Sequence, residues 1–277
     1  PIGIGRDVSG IVEEVGNSVR KFKVGDKVYS RPNESFVGTM AEYVVTNDED
    51  TALMPSNLNF DESASIPLVG LTSYQALVDI AKLSKGESIL IHAGSGGIGT
   101  FAIQLAKHLG AKVTTTTSTK NISFVKSLGA DKVIDYTSQN YLDEGAVFDV
   151  VYDTLGGNYT LDSFKVLKNG GRVVSIAGTV DSITAEQIGL NRFIRMILSF
   201  QARKVTKTAA KMNAMYRFLF MSPNGDQLEE LAKLYESGSI KPLIDKVYNF
   251  DEGVQALEYL AKGRAKGKVI VKIREDI

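Results

Sequence analysis

The stretch "SILIHAGSGGIGTFAIQLAKHLG", from Ser88 to Gly110, constrains the fold of this chain more than any other. Gly94, Gly96, Gly97 and Gly99 fall within six positions, between an apolar run and a helical pattern. "SILIHA" is the continuous apolar run of a strand covered on both faces. After the glycines, Ile98, Phe101, Ala102, Leu105, Ala106 and Leu109 recur at helical spacing, and Gly110 is suited to cap the helix C-terminus. The spacing predicts a helix from Ile98 to Leu109. Glycines at a strand-to-helix corner leave the backbone bare where unpaired amides and the helix dipole hold an anion such as a pyrophosphate. A glycine cluster alone marks only a turn; the surrounding β-α-β unit makes it a dinucleotide site, with Ala93 where the strict G-x-G-x-x-G pattern has glycine.

The alternation continues downstream. "AKVTTTTS", "KVIDY", "FDVVYDT" and "GGRVVSIAG" read as strands, separated by helices near Ile122 to Leu128 and Tyr159 to Leu167. Such a pattern builds a doubly wound parallel sheet. Before residue 57 the texture differs: "GIVEEVG", "KVGDKVYS" and "MAEYVVTN" are short strands in a loop-rich antiparallel region. After Gly225 we expect a helix to Ser237, a strand "PLIDKVYNF", a helix from Asp251 to Lys262 and a last strand "GKVIVKI".

An NAD site places an acid on the adenosine ribose about 20 residues beyond the glycines. Here that region reads "TTTTSTKN", with Ser118 and Lys120 and no acid between Glu87 and Asp131. A carboxylate there would repel a 2'-phosphate, so the pattern favours NADP(H). On the plainer alternative, Lys120 and Asn121 simply begin an exposed helix.

Composition removes several chemistries. There is no cysteine, and His92 and His108 are the two histidines, so disulfides, thiolate nucleophiles and cysteine-built zinc sites are excluded. Lys+Arg and Asp+Glu both total 32, so the overall charge draws the chain to neither nucleic acid nor an anionic membrane, and any such partner needs a local patch. No apolar run approaches the ~18 residues of a membrane span, and the N-terminus lacks a secretory pattern. A cytoplasmic protein is expected. One local patch exists: between Gln187 and Gly225 lie Arg192, Arg195, Arg203, Lys204, Lys207, Lys211 and Arg217 with no acid, interleaved with Phe193, Ile194, Met196, Ile197, Leu198 and Phe200. It invites a nucleic-acid reading; a lid or subunit-contact helix with a solvated basic face is preferred, since no RNA motif accompanies it.

Taken together, "GRDVSGIVEEVG", "VGDKV", "GTMAEYVV", "GLTSYQAL", "AGSGGIG" and "GADKVIDY" resemble the medium-chain dehydrogenase/reductase superfamily in its zinc-free quinone oxidoreductase branch. "FLFMSPNG" and "GKVIVKI" are similar to its NADPH-dependent group of reticulon-4-interacting-protein-like and plant alkenal reductases. The resemblance implies a Rossmann domain inserted in a GroES-like β-rich catalytic domain, with segments 1–67 and 241–277 forming the latter and 68–240 the former. Family members carry several dozen further residues before "PIGIGRDVSG", so the N-terminal part of the catalytic domain is expected to be absent from this sequence. Zinc alcohol dehydrogenases have a His-Glu pair where this chain has Arg6 and Asp7.

Carried over by residue, the resemblance implies Thr72 facing the cofactor and Ser95, Gly96, Gly97 and Ile98 at the pyrophosphate. Ser118, Lys120 and Tyr136 match positions around the 2'-phosphate, the basic position falling on Lys120 or Asn121. Leu155 and Gly156 would lie beside the ribose, and Ala177, Gly178 and the backbone from Phe218 to Phe220 beside the nicotinamide; sheet core is the competing role for the apolar ones. No catalytic acid or base is identified. Tyr43 and Tyr74 can donate a proton, but tyrosines in such places usually pack. The expected function is NADPH-dependent reduction of a quinone or an α,β-unsaturated carbonyl compound by a homodimer without zinc. The alternative is an NADPH-binding protein with an RNA- or protein-binding role and little turnover.

Overall fold

The computed structural model describes residues 3–36 and 38–274. The chain divides into two compact units, one comprising Pro1–Leu71 with Met221–Ile277, the other Thr72–Phe220.

In the first unit, β1 (Val8–Ile11), β2 (Lys27–Ser30) and β3 (Thr51–Leu53) form an antiparallel sheet in the order β1-β2-β3. Short helix α1 (Phe60–Ala64) begins with a capping box in which Asn59 and Glu62 satisfy each other's backbone amides. Helix α2 (Pro67–Tyr74) follows and crosses into the second unit. The expected strand in "MAEYVVTN" is a correction: these residues join no sheet, and Tyr43 and Val45 are exposed. Alternation of side chains suffices for a strand only when a neighbouring backbone supplies the ladder, and β2 pairs with β1 and β3 instead.

The second unit is a six-stranded parallel sheet. Its strands are β4 (Ser88–Ile91), β5 (Lys112–Thr117), β6 (Lys132–Asp135), β7 (Phe148–Asp153), β8 (Leu167–Ser175) and β9 (Met215–Phe218), in the order β6-β5-β4-β7-β8-β9. This is the Rossmann order, with the direction of winding reversing between β4 and β7. Helix α3 (Gly97–His108) follows β4 and buries Phe101, Ala102, Leu105 and Ala106 of the predicted stripe, together with Ile103, while Ile98 and Leu109 at the ends of the stripe are half-buried. Helices α4 (Ile122–Ser127), α5 (Asn158–Val166), α6 (Ser182–Gln187) and α7 (Arg192–Lys211) complete the unit. Leu90, Val151, Val173, Phe164, Leu167, Val205 and Tyr216 belong to one core cluster, which joins the central strands to α5 and α7. Each such side chain contributes about 1.5–3 kcal/mol by leaving water.

Helix α8 (Gly225–Glu236) returns to the first unit. It packs on β3, where Gly225 is pressed so closely that a Cβ would lie 2.3 Å from Thr51 O. Tyr29 Oη, from β2, donates to Leu228 O in the same helix at 2.6 Å. The compact first unit resumes at Met221. Strand β10 (Ile244–Asn249), helix α9 (Gly253–Ala261) and strand β11 (Lys268–Lys272) close the chain, β10 and β11 pairing in parallel.

Candidate dinucleotide site

The predicted site residues that follow strands lie at the carboxyl ends of the parallel sheet, where open α/β folds bind ligands. The glycine corner is shaped by its neighbour β5. Ala93 N donates to Thr116 Oγ1 at 3.1 Å and Gly94 N to Thr116 O at 3.0 Å. Thr115 Oγ1 donates to Ile91 O at 2.7 Å. Ala93 itself sits at φ +52°, the left-handed region that costs a side-chain-bearing residue roughly 1–2 kcal/mol.

The glycines divide by what a Cβ would meet. At Gly94 it would fall 2.0 Å from Thr115 Oγ1, and at Gly99 2.3 Å from Ala93 O, so both are required by internal packing. At Gly96 the nearest atom is Ala93 O at an ordinary 3.4 Å, and φ is −80°. Gly96 is the N-cap of α3 and no side chain caps that helix. The first-turn amides have no intrahelical acceptor by geometry. Neither packing nor backbone conformation needs glycine at 96, and the first-turn amides beside it are open to an anion. This is the fit expected for a pyrophosphate.

Next to it is a small polar cluster. Asn121, which ends a 3-10 turn over Thr119–Asn121, turns inward, and Lys120 is exposed. The Asn121 amide donates to Ser95 Oγ at 3.1 Å and to Ser118 Oγ at 3.3 Å, and Thr117 Oγ1 donates to Ser95 Oγ at 3.0 Å. Both serine oxygens accept in this arrangement, so each hydroxyl keeps its proton to donate. Asn121 Oδ1 is buried without a partner. Tyr136, at the end of β6, is exposed and its amide donates to Thr117 O at 3.1 Å.

On the other side of the winding reversal, Asp153 ends β7 fully buried. Its Oδ1 accepts from Leu155 N at 3.0 Å and Gly156 N at 2.8 Å, and its Oδ2 from Thr160 Oγ1 at 2.6 Å and Ser175 Oγ at 2.8 Å. Ser175 Oγ in turn accepts from Gly178 N at 2.8 Å. Gly156, at φ +70°, lies so close to Ala177 that a Cβ would fall 2.0 Å from Ala177 O. Leu155 and Phe220 are exposed, Phe218 is buried, and the two phenylalanines meet edge to face with centroids 5.0 Å apart. Thr72 is buried on α2.

A second carboxylate, Asp181, supports β9. It accepts from Phe218 N at 2.8 Å, Arg217 Nη1 at 2.8 Å and the amides of Ile183 and Thr184. Burial opposes its charge, but the hydrogen bonds from Phe218, Thr184 and Arg217 hold its pKa below the ordinary value. Behind the glycine corner, His92 is fully buried between Tyr141 and Tyr159, and burial pushes its pKa down to about 4, opposed by the Asp153 charge. Sequence reasoning passed over Asp153 and Asp181; the legible signal was an acid at the end of an apolar strand or loop immediately before a helix.

In the first unit, Asp7 accepts from Leu68 N at 2.7 Å and Lys268 Nζ at 2.7 Å, while Arg6 and Arg31 both pair with Glu34. Among the described residues no group of three or more His, Cys, Asp or Glu side chains could hold a metal.

Two family profiles match, "Alcohol dehydrogenase GroES-like domain" over residues 1–56 and "Zinc-binding dehydrogenase" over 128–271, the latter more than half of the chain. The chain belongs to the medium-chain dehydrogenase/reductase superfamily. It is 35% identical over 285 residues to the mitochondrial NAD(P)H oxidoreductase RTN4IP1 of Danio rerio, covering 100% of this chain and 73% of that protein. It is 38% identical to 2-methylene-furan-3-one reductase of Solanum lycopersicum, covering 96% of this chain and 62% of that protein, so this superfamily member spans less than two thirds of the tomato relative. A quinone oxidoreductase structure from Coxiella burnetii superposes with a TM-score of 0.83 at 33% identity, covering 99% of this chain and 80% of that one. The zinc in one family description does not fit these residues: a guanidinium stands at Arg6, Asp7 is committed to two donors, and cysteine is absent.

Proposed function

We propose that this chain is an NADPH-dependent oxidoreductase that delivers hydride to a quinone or an α,β-unsaturated carbonyl compound without zinc. The observation that carries the cofactor half is Ser118, whose oxygen accepts from the Asn121 amide and so keeps its own proton to donate, the same amide tying it to Ser95 beside Gly96. Hydroxyl donors suit a 2'-phosphate, and the acid that would hold an unphosphorylated ribose is missing. Exposed Lys120 adds long-range attraction.

Reduced nicotinamide supplies hydride when bound. The chain's residues hold and aim it: the α3 amides at the pyrophosphate, Leu155 and Gly156 through Asp153 at the ribose side, Ala177 and Gly178 through Ser175 at the nicotinamide side. A conjugated acceptor takes hydride at its far carbon and spreads charge to oxygen, so hydrogen-bond donors suffice where a saturated ketone needs a Lewis acid or proton relay. The names of the tomato and Coxiella burnetii relatives, a furanone reductase and a quinone oxidoreductase, support this acceptor class.

The test is oxidation of NADPH with a panel of quinones, enones and saturated ketones, with and without chelator. Turnover of the conjugated compounds that persists in chelator is expected. Zinc-dependent turnover of saturated substrates would overturn the proposal; tight NADPH binding with no oxidation would favour the binding-protein alternative.

A further inference from the structure

The structure places six of the seven basic residues of the segment on α7, Arg217 lying on β9, and shows how they are arranged. Val205 and Ala209 anchor the helix in the core, and Ala202 is buried on the same side. The opposite side is a single outward stripe at three- and four-residue spacing. Its first half is apolar: Phe193, Met196, Ile197 and Phe200 are 66%, 62%, 42% and 72% exposed. Its second half is cationic, with Lys204, Lys207 and Lys211 exposed and Arg203 at its flank. Each half is about 10 Å long at 1.5 Å per residue. No acid occurs from Arg192 to Lys211, although the chain as a whole is neutral. Among the described residues, the ion pairing of α7 is confined to Arg195 with Glu186 at 3.0 Å.

We infer that the outward stripe of α7 docks on an anionic lipid surface, the apolar half entering the headgroup boundary and the lysines lying on the charged headgroups. Large exposed apolar side chains next to unpaired cations are the features that bind a flat, negatively charged, apolar-cored surface. A second copy docked through the same stripe would cover the phenylalanines, but its α7 has no acid to meet Lys204, Lys207 and Lys211. A nucleic acid would neutralise the lysines but gains little from Met196 and Ile197. The inference does not depend on the hydride reaction, because α7 supplies none of the proposed cofactor contacts.

The experiment is flotation of the whole chain with vesicles of phosphatidylcholine, alone or mixed with phosphatidylserine, at low and high salt. Two surface variants, Phe193→Ser/Phe200→Ser and Lys204→Gln/Lys207→Gln, are compared, with NADPH binding confirming that each is folded. Wild type should bind the mixed vesicles in a salt-sensitive way and pure phosphatidylcholine little. Each lysine near such a surface contributes about fivefold in affinity, so the lysine variant should bind about thirtyfold more weakly. The phenylalanine variant should lose binding as well. Equal binding to both vesicle types, binding unaffected by either variant, or no binding at all would overturn the inference. So would sedimentation showing a dimer that only the phenylalanine variant breaks, or a single-stranded oligonucleotide held through the lysines, in the absence of vesicle binding.

Discussion

Asp153 and Ser175 are hydrogen-bonded at 2.8 Å, so one buried carboxylate joins the ends of two adjacent strands. The same carboxylate fixes the Leu155 and Gly156 amides, and through Ser175 the Gly178 amide. Asp153→Asn places a donor where only donors point. We expect a loss of about 3 kcal/mol in stability by urea denaturation. NADPH affinity should fall while that for 2',5'-ADP, which lacks the nicotinamide half, stays as in wild type. Equal loss for both ligands would show that Asp153 acts only on general stability.

Gly96 and Gly99 should respond in opposite ways. Gly99→Ala drives a Cβ against Ala93 O and should destabilise the fold; Gly96→Ala should melt close to wild type and bind NADPH more weakly. Gly96→Asp adds repulsion of about 4 kcal/mol at an effective dielectric near 20, roughly three decades of affinity. Calorimetric titration and thermal unfolding separate the effects. Wild-type affinity in both folded Gly96 variants would refute the phosphate cradle.

Ser118→Asp should reverse the cofactor preference. It replaces a free hydroxyl proton with a carboxylate at the end of β5, repelling a 2'-phosphate and accepting from a ribose hydroxyl. Fluorescence titration at low salt should show NADPH favoured by wild type and NADH by the variant. Equal affinities in wild type would remove the NADP assignment.

The legible parts of the fold were those in which local pattern and global topology agree. The corner from Ser88 to Gly110 combines strand, glycines and helix in sequence, and α3 lies one residue from its predicted bounds. Other features depended on distant partners. The alternation around Tyr43 and Val45 was real but had no ladder to join, and β3 is too short to announce itself. The choice between Lys120 and Asn121 rested on the direction of a 3-10 turn, which one residue of phase reverses. Asp153 is bound by residues two, three, seven and 22 positions away, a set that no spacing rule collects.

His92 should make the second unit sensitive to mild acid. Its pKa in the fold is about 4 against an ordinary 6.5, so below 6.5 the unfolded chain takes up a proton that the folded chain refuses. Its contribution is therefore complete above pH 6.5 and is lost progressively as pH falls to about 4. Across that window the loss is about 3 kcal/mol. His92→Phe, which suits a site where Nε2 has no partner, should flatten this segment of the profile in urea melts. An unchanged profile would show that the acid response has another source.

Asp181 should set a second, lower acid limit. Its folded pKa is depressed, so its support of β9 is present above the ordinary carboxylate range and disappears as pH falls through the folded value. Asp181→Asn should lower stability at neutral pH and remove that dependence. A variant as stable as wild type at pH 7 would contradict it.

The fit of Gly94 against Thr115 also bears on how this corner can change over generations. A methyl at 94 has nowhere to go while Thr115 Oγ1 stands 2.0 Å from its Cβ. If Thr115 first becomes alanine or glycine, both clashing atoms of its side chain are gone and only the end of the Ile103 side chain, 3.0 Å from the new Cβ, has to give. The two positions, one in the turn after β4 and one within β5, 21 apart in sequence, thus form an ordered pair with one open route between their states: the wall recedes before the floor rises. Among descendants of this sequence, a side chain at 94 should be found only beside alanine or glycine at 115.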